Sequence, residues 1–141
     1  MRENQILQKS GAGWCHIKIG NFNGSASYIN DVPMDFLSAF KTYIDAEAAP
    51  VILCDEEGSE FTIVVEEYYT HIIVKREDVS LITVEIDRKD FIDAVLKDIE
   101  NELEWFSTEF SSEPEDANEI LQRKIDMLTI IQYIRKGIEV F

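Results

Sequence analysis

The fold is decided by residues 51–86, VILCDEEGSEFTIVVEEYYTHIIVKREDVSLITVEI. Four runs rich in β-branched and aromatic residues alternate here with short charged segments, a pattern that predicts four β-strands joined by turns. The predicted strands are Val51–Cys54, Phe61–Val65, Tyr69–Val74 and Val79–Ile86. Parallel neighbours need a crossover of about a dozen residues or more, and these links are far shorter, so consecutive strands must run antiparallel.

The sequence before this meander predicts a hairpin followed by a helix. Trp14–Ile19 alternates apolar and polar side chains, and Ser25–Ile29 resumes that pattern after a turn near Asn23 and Gly24. Asn30–Pro33 is a helix-start signal, because an acceptor side chain precedes a proline. The apolar stripe of that helix consists of Phe36, Leu37, Phe40, Tyr43 and Ile44.

The last third of the chain predicts two helices. Asp87 is a suitable N-cap for the first, and Ser112–Glu115 has the form of a capping box at the start of the second. Because the link between them is short, the two helices are expected to pack as an antiparallel pair. Their apolar faces are Phe91, Val95, Ile99, Leu103, Phe106 and Phe110 in the first, and Ile120, Leu121, Ile125, Leu128, Ile131, Ile134 and Ile138 in the second.

The element order is therefore ββαββββαα, which predicts an α+β fold. We expect an antiparallel sheet of about five to six strands with the helices on one face. Residues 1–12 are expected to form a flexible N-terminal lead-in, and residues 13–141 a single α+β domain. A chain of 141 residues is long enough to bury a core without disulfides.

The charge of the chain is strongly one-sided. Its 13 Lys and Arg face 28 Asp and Glu, which gives a formal net charge of −15. Residues 55–141 hold 23 of those acids and 9 of the bases, so nearly all of the excess lies there. Such a field repels nucleic acid and anionic lipid and attracts cationic surfaces. We therefore expect a basic protein partner, with no nucleic acid and no membrane.

The cysteines and the N-terminal residues bear on the compartment. Cys15 and Cys54 are the only cysteines and form no disulfide framework, so they are expected to be reduced. Residues 1–13 lack the basic-then-apolar pattern of a signal peptide, and no apolar run reaches the roughly 20 residues of a membrane helix. These features predict a cytoplasmic protein.

No catalytic, metal-binding or cofactor-binding motif can be recognised. Cys15 and His16 are adjacent in a predicted strand, so their side chains point to opposite faces and do not pair as nucleophile and base. The turn Asp55–Glu60 lacks the ligand spacing of a calcium loop, and the histidines and cysteines form no zinc pattern. The sequence thus predicts no enzyme, no metal and no cofactor. A hydrolase using a carboxylate pair has no positive support.

The strongest candidate for a binding site is the acidic stretch, our name for residues 98–122. It contains nine acids and not one Lys or Arg. The acidic turn at residues 55–60 and the aromatic Tyr68 extend the candidate surface. The predicted partner-binding residues are Asp55, Glu56, Glu57, Glu60, Tyr68, Asp98, Glu102, Glu109, Glu113 and Asp116. The alternative is a solvated face that serves only solubility.

Several features resemble small acidic bacterial immunity proteins, which neutralise a toxin made by the same or a neighbouring cell. They are Trp14, Ser27–Asp31, Pro33 and Pro50–Asp55, followed by the strand meander and acidic helices. The resemblance covers most of the chain and concerns size, charge and element order. It implies a toxin domain as the partner. Many such domains are basic nucleases, for which an acidic surface would imitate nucleic-acid phosphates.

Two functions follow as hypotheses. The first is a non-enzymatic acidic protein-binding domain, most concretely an immunity protein that neutralises a basic, nuclease-like toxin by occlusion. The alternative is a structural or regulatory subunit that forms a homodimer through its C-terminal helical hairpin. The apolar stripe from Ile120 to Ile138 is longer than a small sheet needs for cover. High salt separates the two, because it weakens charge-driven contacts and leaves an apolar dimer intact.

Overall fold

The computed structural model describes residues 5–11, 13–110 and 116–141, and in these it contains two antiparallel β-sheets and four helices. The predicted α+β class and the antiparallel pairing are confirmed. The strands are β1 (Leu7–Lys9), β2 (Trp14–Ile19), β3 (Phe22–Ser27), β4 (Val51–Asp55), β5 (Glu60–Val65), β6 (Tyr69–Lys75) and β7 (Val79–Glu85). The helices are α1 (Val32–Ala46), α2 (Arg88–Asn101), α3 (Leu103–Glu109) and α4 (Ala117–Val140).

Strands β4 to β7 form the predicted meander as a four-stranded sheet. Its side chains alternate between an inner face on the core and an outer face. On β4, Ile52 is buried on the inner face, whereas Val51 and Leu53 are exposed on the outer face. The register places Ile52 opposite Ile63 and Ile63 opposite Ile72, so inner residues stay together. The outer face comprises Val51, Leu53, Thr62, Val64, Tyr69, His71, Ile73, Val79, Leu81 and Thr83.

The prediction of one sheet of about five to six strands is wrong, since β1, β2 and β3 form a separate three-stranded sheet. This second sheet packs against the inner face of the meander. Gly24 of β3 permits the close approach, because a Cβ there would lie 2.6 Å from the ring of Phe61. The rings of Phe22 and Phe61 meet edge to face with centroids 4.9 Å apart. Periodicity in a sequence does not distinguish strands that pair at an edge from strands that stack on a face.

Two further differences change the element order, which is βββαββββααα in place of ββαββββαα. Within residues 1–12, the predicted flexible lead-in, Leu7–Lys9 form β1, and Leu7 is buried opposite Ile17. The predicted helix over residues 87–110 is divided into α2 and α3. The division occurs at Glu102, whose backbone leaves the helical conformation with φ −127° and ψ 40°.

Helix α4 packs mainly on α1, in addition to its contacts with α2 and α3. The sequence predicts only its pairing with the preceding helix. Gly137 of α4 allows the close approach, because a Cβ at this position would clash with Ile44 of α1. Arg123 of α4 also binds the N-cap of α1, donating two hydrogen bonds of 2.7 Å to the carboxylate of Asp31. The first and last helices therefore form one packed unit.

One core joins the sheets and the helices. Phe36 and Phe40 of α1 meet edge to face, and Phe40 meets Phe91 of α2 in the same way. The inner face of the meander packs into this core, so the outer face is the side of the meander that the core does not cover. Among the described residues, no helix has both the length and the apolar character that crossing a membrane requires.

Candidate protein-binding surface

The outer face exposes large apolar side chains to solvent on both of its edge strands, β4 and β7. Cross-strand pairing aligns its side chains in rows, one of which runs from Leu53 through Thr62 and Ile73 to Leu81. The exposed fractions are 56% for Val51, 50% for Leu53, 70% for Val79 and 64% for Leu81. A contiguous exposed apolar patch on a folded protein commonly marks a binding surface.

The apolar residues of the outer face are absent from the predicted site. An antiparallel sheet with one face on the core usually presents polar side chains on its other face. Here both faces are apolar, as the consecutive residues Val51, Ile52 and Leu53 show. This loss of alternation is the sequence signal that could have located the surface, because a strand that is apolar on both sides needs cover on both sides.

Carboxylates border the outer face at both ends. Asp55 and Glu60 lie opposite each other where β4 meets β5. Glu66 and Glu85 lie at the other end, beside the turn into β6 and at the end of β7. We call these four residues the acidic rim. Lys75 lies opposite Glu60 and offsets one of these four negative charges, so the net charge of this border stays negative.

The predicted acids of the turn between β4 and β5 differ in their roles. Glu56 accepts hydrogen bonds from Arg76 at 2.9 and 3.0 Å and from Ser59 at 2.9 Å. Burial raises the pKa of Glu56, but these bonds and one from a backbone N–H outweigh it, and the pKa lies below its ordinary value. Asp55 accepts a 2.6 Å bond from the N–H of Glu57, which is exposed. Glu56 is thus structural, whereas Asp55 also belongs to the rim.

Tyr68 is exposed at the turn between β5 and β6 and borders a groove of about 500 Å³. A hydrogen bond between its hydroxyl and Glu67 raises the pKa of Tyr68. In the groove, the guanidinium carbon of Arg88 lies 4.6 Å from the ring centroid of Tyr43, which also stacks on Phe141. None of the other predicted site residues for which a position is described lines this groove.

Asp98 is buried inside the molecule. One carboxylate oxygen accepts hydrogen bonds from the backbone N–H groups of Ile6 at 2.7 Å and Leu7 at 2.9 Å. Asp98 follows Phe91 and Val95 at helical spacing, so it lies on the core side of α2. The carboxylate therefore fixes β1 to α2 and satisfies two backbone donors. Its expected place on a docking surface is wrong.

Cations from other elements pair with three glutamates of the acidic stretch. The pairs are Glu100 with Arg135, Glu102 with Lys9, and Glu104 with Lys124. The first pair is bidentate, with N–O distances of 2.7 and 2.5 Å. The Nζ of Lys9 lies 3.3 Å from the carboxylate of Glu102. The acidic stretch is therefore partly neutralised by cations that lie outside it in the sequence.

The remaining predicted residues do not assemble into one surface. Asp116 caps α4 by accepting a 2.8 Å hydrogen bond from the N–H of Asn118. Glu109 is partly buried near the end of α3. Glu113 lies outside the described residues. Of the predicted site residues that the structure describes, Asp55 and Glu60 are the two that lie on the outer face side of the sheet.

The two cysteines are buried and the two histidines are hydrogen-bonded. Burial raises the pKa of the Cys15 thiol to about 12 and raises that of Cys54 as well, so both thiols stay protonated at neutral pH. His16 and His71 each form a hydrogen bond with a neighbouring polar side chain. In the part of the chain that the structure describes, no group of three or more His, Cys, Asp or Glu is placed to hold a metal ion.

Comparison of the chain with models of protein families, with curated proteins and with solved structures gives no match. The protein is therefore characterised by its own geometry. It is an α+β protein with two antiparallel sheets, one of which presents an exposed apolar face bordered by carboxylates.

Proposed function

We propose that this chain is a non-enzymatic protein-binding domain whose partner is a basic protein that docks on the outer face. One observation carries the proposal: the two edge strands of the outer face expose large apolar side chains to solvent, among them Val51, Leu53 and Leu81. Burying such a side chain contributes about 1.5–3 kcal/mol before the cost of association. The outer face therefore offers apolar side chains of the kind that stable interfaces bury.

The charge of the chain favours a basic partner over a second copy of itself. A second copy would bring its own acidic rim against this one, and each copy carries a formal net charge of −15. Like charges across an interface are costly and slow the encounter. A partner with Lys and Arg around an apolar patch would instead meet the rim with opposite charge and be steered towards it.

An immunity protein that neutralises a basic, nuclease-like toxin would work in this way. The resemblance in size, charge and element order supports this role. Occlusion needs no catalytic group on the inhibitor: an acidic-rimmed face that covers a cationic active site blocks nucleic acid from it.

Site-specific photo-crosslinking in cells tests the proposal. A benzophenone amino acid replaces Leu53 on the outer face or, as the matched control, Gln132 on the exposed side of α4. The protein captured at Leu53 and not at Gln132 is purified, and its binding to the unmodified chain is measured by calorimetry. We expect a basic protein that binds with one-to-one stoichiometry and whose Kd rises with salt.

Substitutions then locate the interface. Leu53→Lys should weaken binding of the captured protein by about tenfold or more, because it replaces an exposed apolar side chain of the outer face with a cation. Gln132→Lys should leave the Kd unchanged. A partner with an acidic surface, a Kd indifferent to salt, or full affinity in Leu53→Lys would each refute docking on the outer face.

A homodimer through the C-terminal helices is the second candidate, because α4 exposes an apolar stripe. Leu121, Ile125 and Leu128 are spaced at i, i+4 and i+7 and are 57%, 47% and 36% exposed. The residues of α4 that are buried within the chain are Met127, Ile131 and Ile134. Sedimentation in high salt tests this role: a dimer that persists there and is lost in Ile125→Lys supports it, and a monomer at all concentrations refutes it.

A further inference from the structure

Strand β7 is an edge of the four-stranded sheet, with β6 as its neighbour. Two hydrogen bonds fix which backbone groups face β6: the N–H of Arg76 donates to the carbonyl of Asp78 at 3.2 Å, and the N–H of Ile86 donates to the carbonyl of Tyr68 at 3.0 Å. Because bonded residues alternate along an antiparallel pair, the even-numbered residues of β7 bond to β6. The residues whose N–H and C=O groups point to the free edge are Val79, Leu81, Thr83 and Glu85.

Among the described residues no strand pairs with the other edge of β7, and this free edge lacks several features that protect edge strands. Its sequence, VSLITVE, contains neither proline nor lysine, and its register with β6 runs from Val79 to Glu85 without a bulge. The opposite edge strand of the sheet, β4, differs because it contacts α1 and β3. An unprotected edge of this length is a template for another strand.

Two grooves lie along the inner side of β7. One has a volume of about 620 Å³ and is lined by Ser80 and Ile82 with the charged turn before them. The other has a volume of about 260 Å³ and is lined by Val84 together with Ile19 and Gly20. Ile82 and Val84 are consecutive inner-facing positions, roughly 7 Å apart along the strand. Alternate side chains of an added strand have the same spacing, so two of them fit these grooves.

We infer that the basic partner binds by adding an extended segment to the free edge of β7, as a fifth strand of the sheet. This inference rests on the proposed function and specifies how the partner is held. An added strand places every second side chain beside the outer face, so edge pairing and outer-face docking form one continuous interface. Backbone hydrogen bonds would supply affinity, and the two grooves would select the side chains.

Acids at both ends of β7 select the occupant. Glu77 and Asp78 precede the strand, and Glu85 and Asp87 lie at its other end. The cations beside them have partners elsewhere: Arg76 pairs with Glu56, Arg88 lies over the ring of Tyr43, Lys89 donates to the carbonyl of Phe141, and Lys75 lies opposite Glu60. Two copies of β7 paired antiparallel over their full length would bring the acids at one end against those at the other. A segment with an apolar centre and Lys or Arg at both ends meets opposite charge at each end. The occupant is therefore a cationic strand of the partner.

Hydrogen exchange on the wild-type protein, followed by NMR, tests the inference with a synthetic peptide. The probe alternates valine and threonine and carries two lysines at each end, and its matched control carries glutamates there. We expect the lysine peptide to slow exchange of the Leu81 and Thr83 amides by roughly tenfold or more and to leave that of Ile82, already bonded to β6, unchanged. The glutamate peptide should protect neither amide.

Two outcomes overturn the inference on this measurement alone. Failure of the lysine peptide to protect the Leu81 and Thr83 amides contradicts strand addition at β7. Equal protection by both peptides, or protection that grows with the concentration of the protein itself, contradicts the cationic occupant and indicates non-selective or self-pairing of the edge.

A backbone variant provides a second test. Leu81→Pro deletes one N–H that points to the free edge and spares the ladder with β6, whereas Leu81→Val keeps this N–H. We expect the affinity for the lysine peptide to fall roughly tenfold in Leu81→Pro and to stay within about twofold in Leu81→Val. Equal affinity of the two variants refutes edge pairing. If Leu81→Pro does not fold, the exchange measurement on the wild type decides alone.

The experiments test strand addition and outer-face docking independently of each other. Leu53 lies on β4, at the opposite edge from β7. If the peptide protects β7 and Leu53→Lys leaves the affinity of the captured protein intact, outer-face docking is refuted and strand addition stands. If Leu53→Lys weakens the captured protein while the peptide leaves β7 unprotected, docking stands and strand addition is refuted.

Discussion

The acidic stretch and the outer face differ in how far the fold uses their side chains. In the acidic stretch, Asp98 binds the backbone of β1, and three glutamates pair with cations. On the outer face, Val51, Leu53 and Leu81 remain exposed to solvent. Four acids of the acidic stretch are thus engaged within the molecule, whereas large apolar side chains of the outer face are left uncovered.

This difference shows that a charged side chain can be assigned to binding only when its partners in the fold are known. The absence of Lys and Arg between residues 98 and 122 is a property of the sequence. In space, Lys9, Lys124 and Arg135 approach that stretch from β1 and α4. An exposed apolar side chain has no such alternative, because only another apolar surface can cover it.

The largest expected effect separates two neighbours on β4. Ile52→Ala should lower the free energy of unfolding by about 2–5 kcal/mol, because it leaves a cavity in the core. Leu53→Ala should lower it by less than about 1 kcal/mol, because that side chain lies on the exposed outer face. Urea unfolding measures both. Similar losses would mean that the outer face is packed in the isolated chain, which would remove the contrast between the two regions.

The acidic stretch should show a large effect at Asp98. Asp98→Ala is expected to lower the free energy of unfolding by about 2–4 kcal/mol, because two buried N–H groups lose a charged acceptor. Asp93→Ala is the matched control on the same helix, since the side chain of Asp93 is half-exposed and pairs with Lys97 at i,i+4. Its cost should stay below about 0.5 kcal/mol. Equal, small costs in urea unfolding would place Asp98 among the surface acids.

The sequence predicts the meander correctly because local signals determine it. Alternating apolar runs and short charged turns leave antiparallel pairing as the only solution for β4 to β7. The second sheet depends on non-local packing: the contact of Gly24 with Phe61 decides that β3 stacks on a face. The division between α2 and α3 at Glu102 has no glycine or proline to signal it.

Of the features of the candidate site, only its negative charge could be predicted from the sequence. Asp55 and Glu60 lie on the outer face side because they share a turn, and their proximity is readable from the sequence. Asp98 is buried because β1 packs beside it. The position of β1 depends on its pairing with β2, which the sequence of residues 1–12 does not predict. The apolar character of the outer face was readable, but the side of the sheet on which the core lies was not.

Asp35 bears on the comparison between the acidic stretch and the outer face, because it is a half-buried acid at the margin of the outer face. It lines a groove of about 350 Å³ together with Val51 and Leu53. Burial, and then the negative charge of Asp31, raise the pKa of Asp35 from 3.8 to about 6. The folded state therefore binds this proton more tightly than the unfolded state does. The stability that this provides is complete below pH 3.8 and is lost as pH rises to about 6.

Asp35→Asn should therefore stabilise the fold near neutral pH. We expect a gain on the order of 1 kcal/mol at pH 7, discounted for partial exposure, and almost none at pH 4. Urea unfolding at both pH values measures the difference. Asp45→Asn is the control with the opposite sign, because a hydrogen bond from Lys41 lowers the pKa of Asp45. A destabilised Asp35→Asn at pH 7 would indicate that this carboxylate already has a cationic partner.

The smallest effects are expected from the ion pairs of the acidic stretch. A double-mutant cycle on the bidentate Glu100–Arg135 pair should give a coupling of about 0.5–1 kcal/mol, and one on the more exposed Glu104–Lys124 pair less than about 0.5 kcal/mol. Glutamine replaces each residue, and urea unfolding at low and high salt gives the four free energies. Added salt should reduce the weaker coupling more. Couplings near zero for both pairs would mean that these carboxylates are available to bind a partner. The acidic stretch would then be an alternative to the outer face as the docking surface.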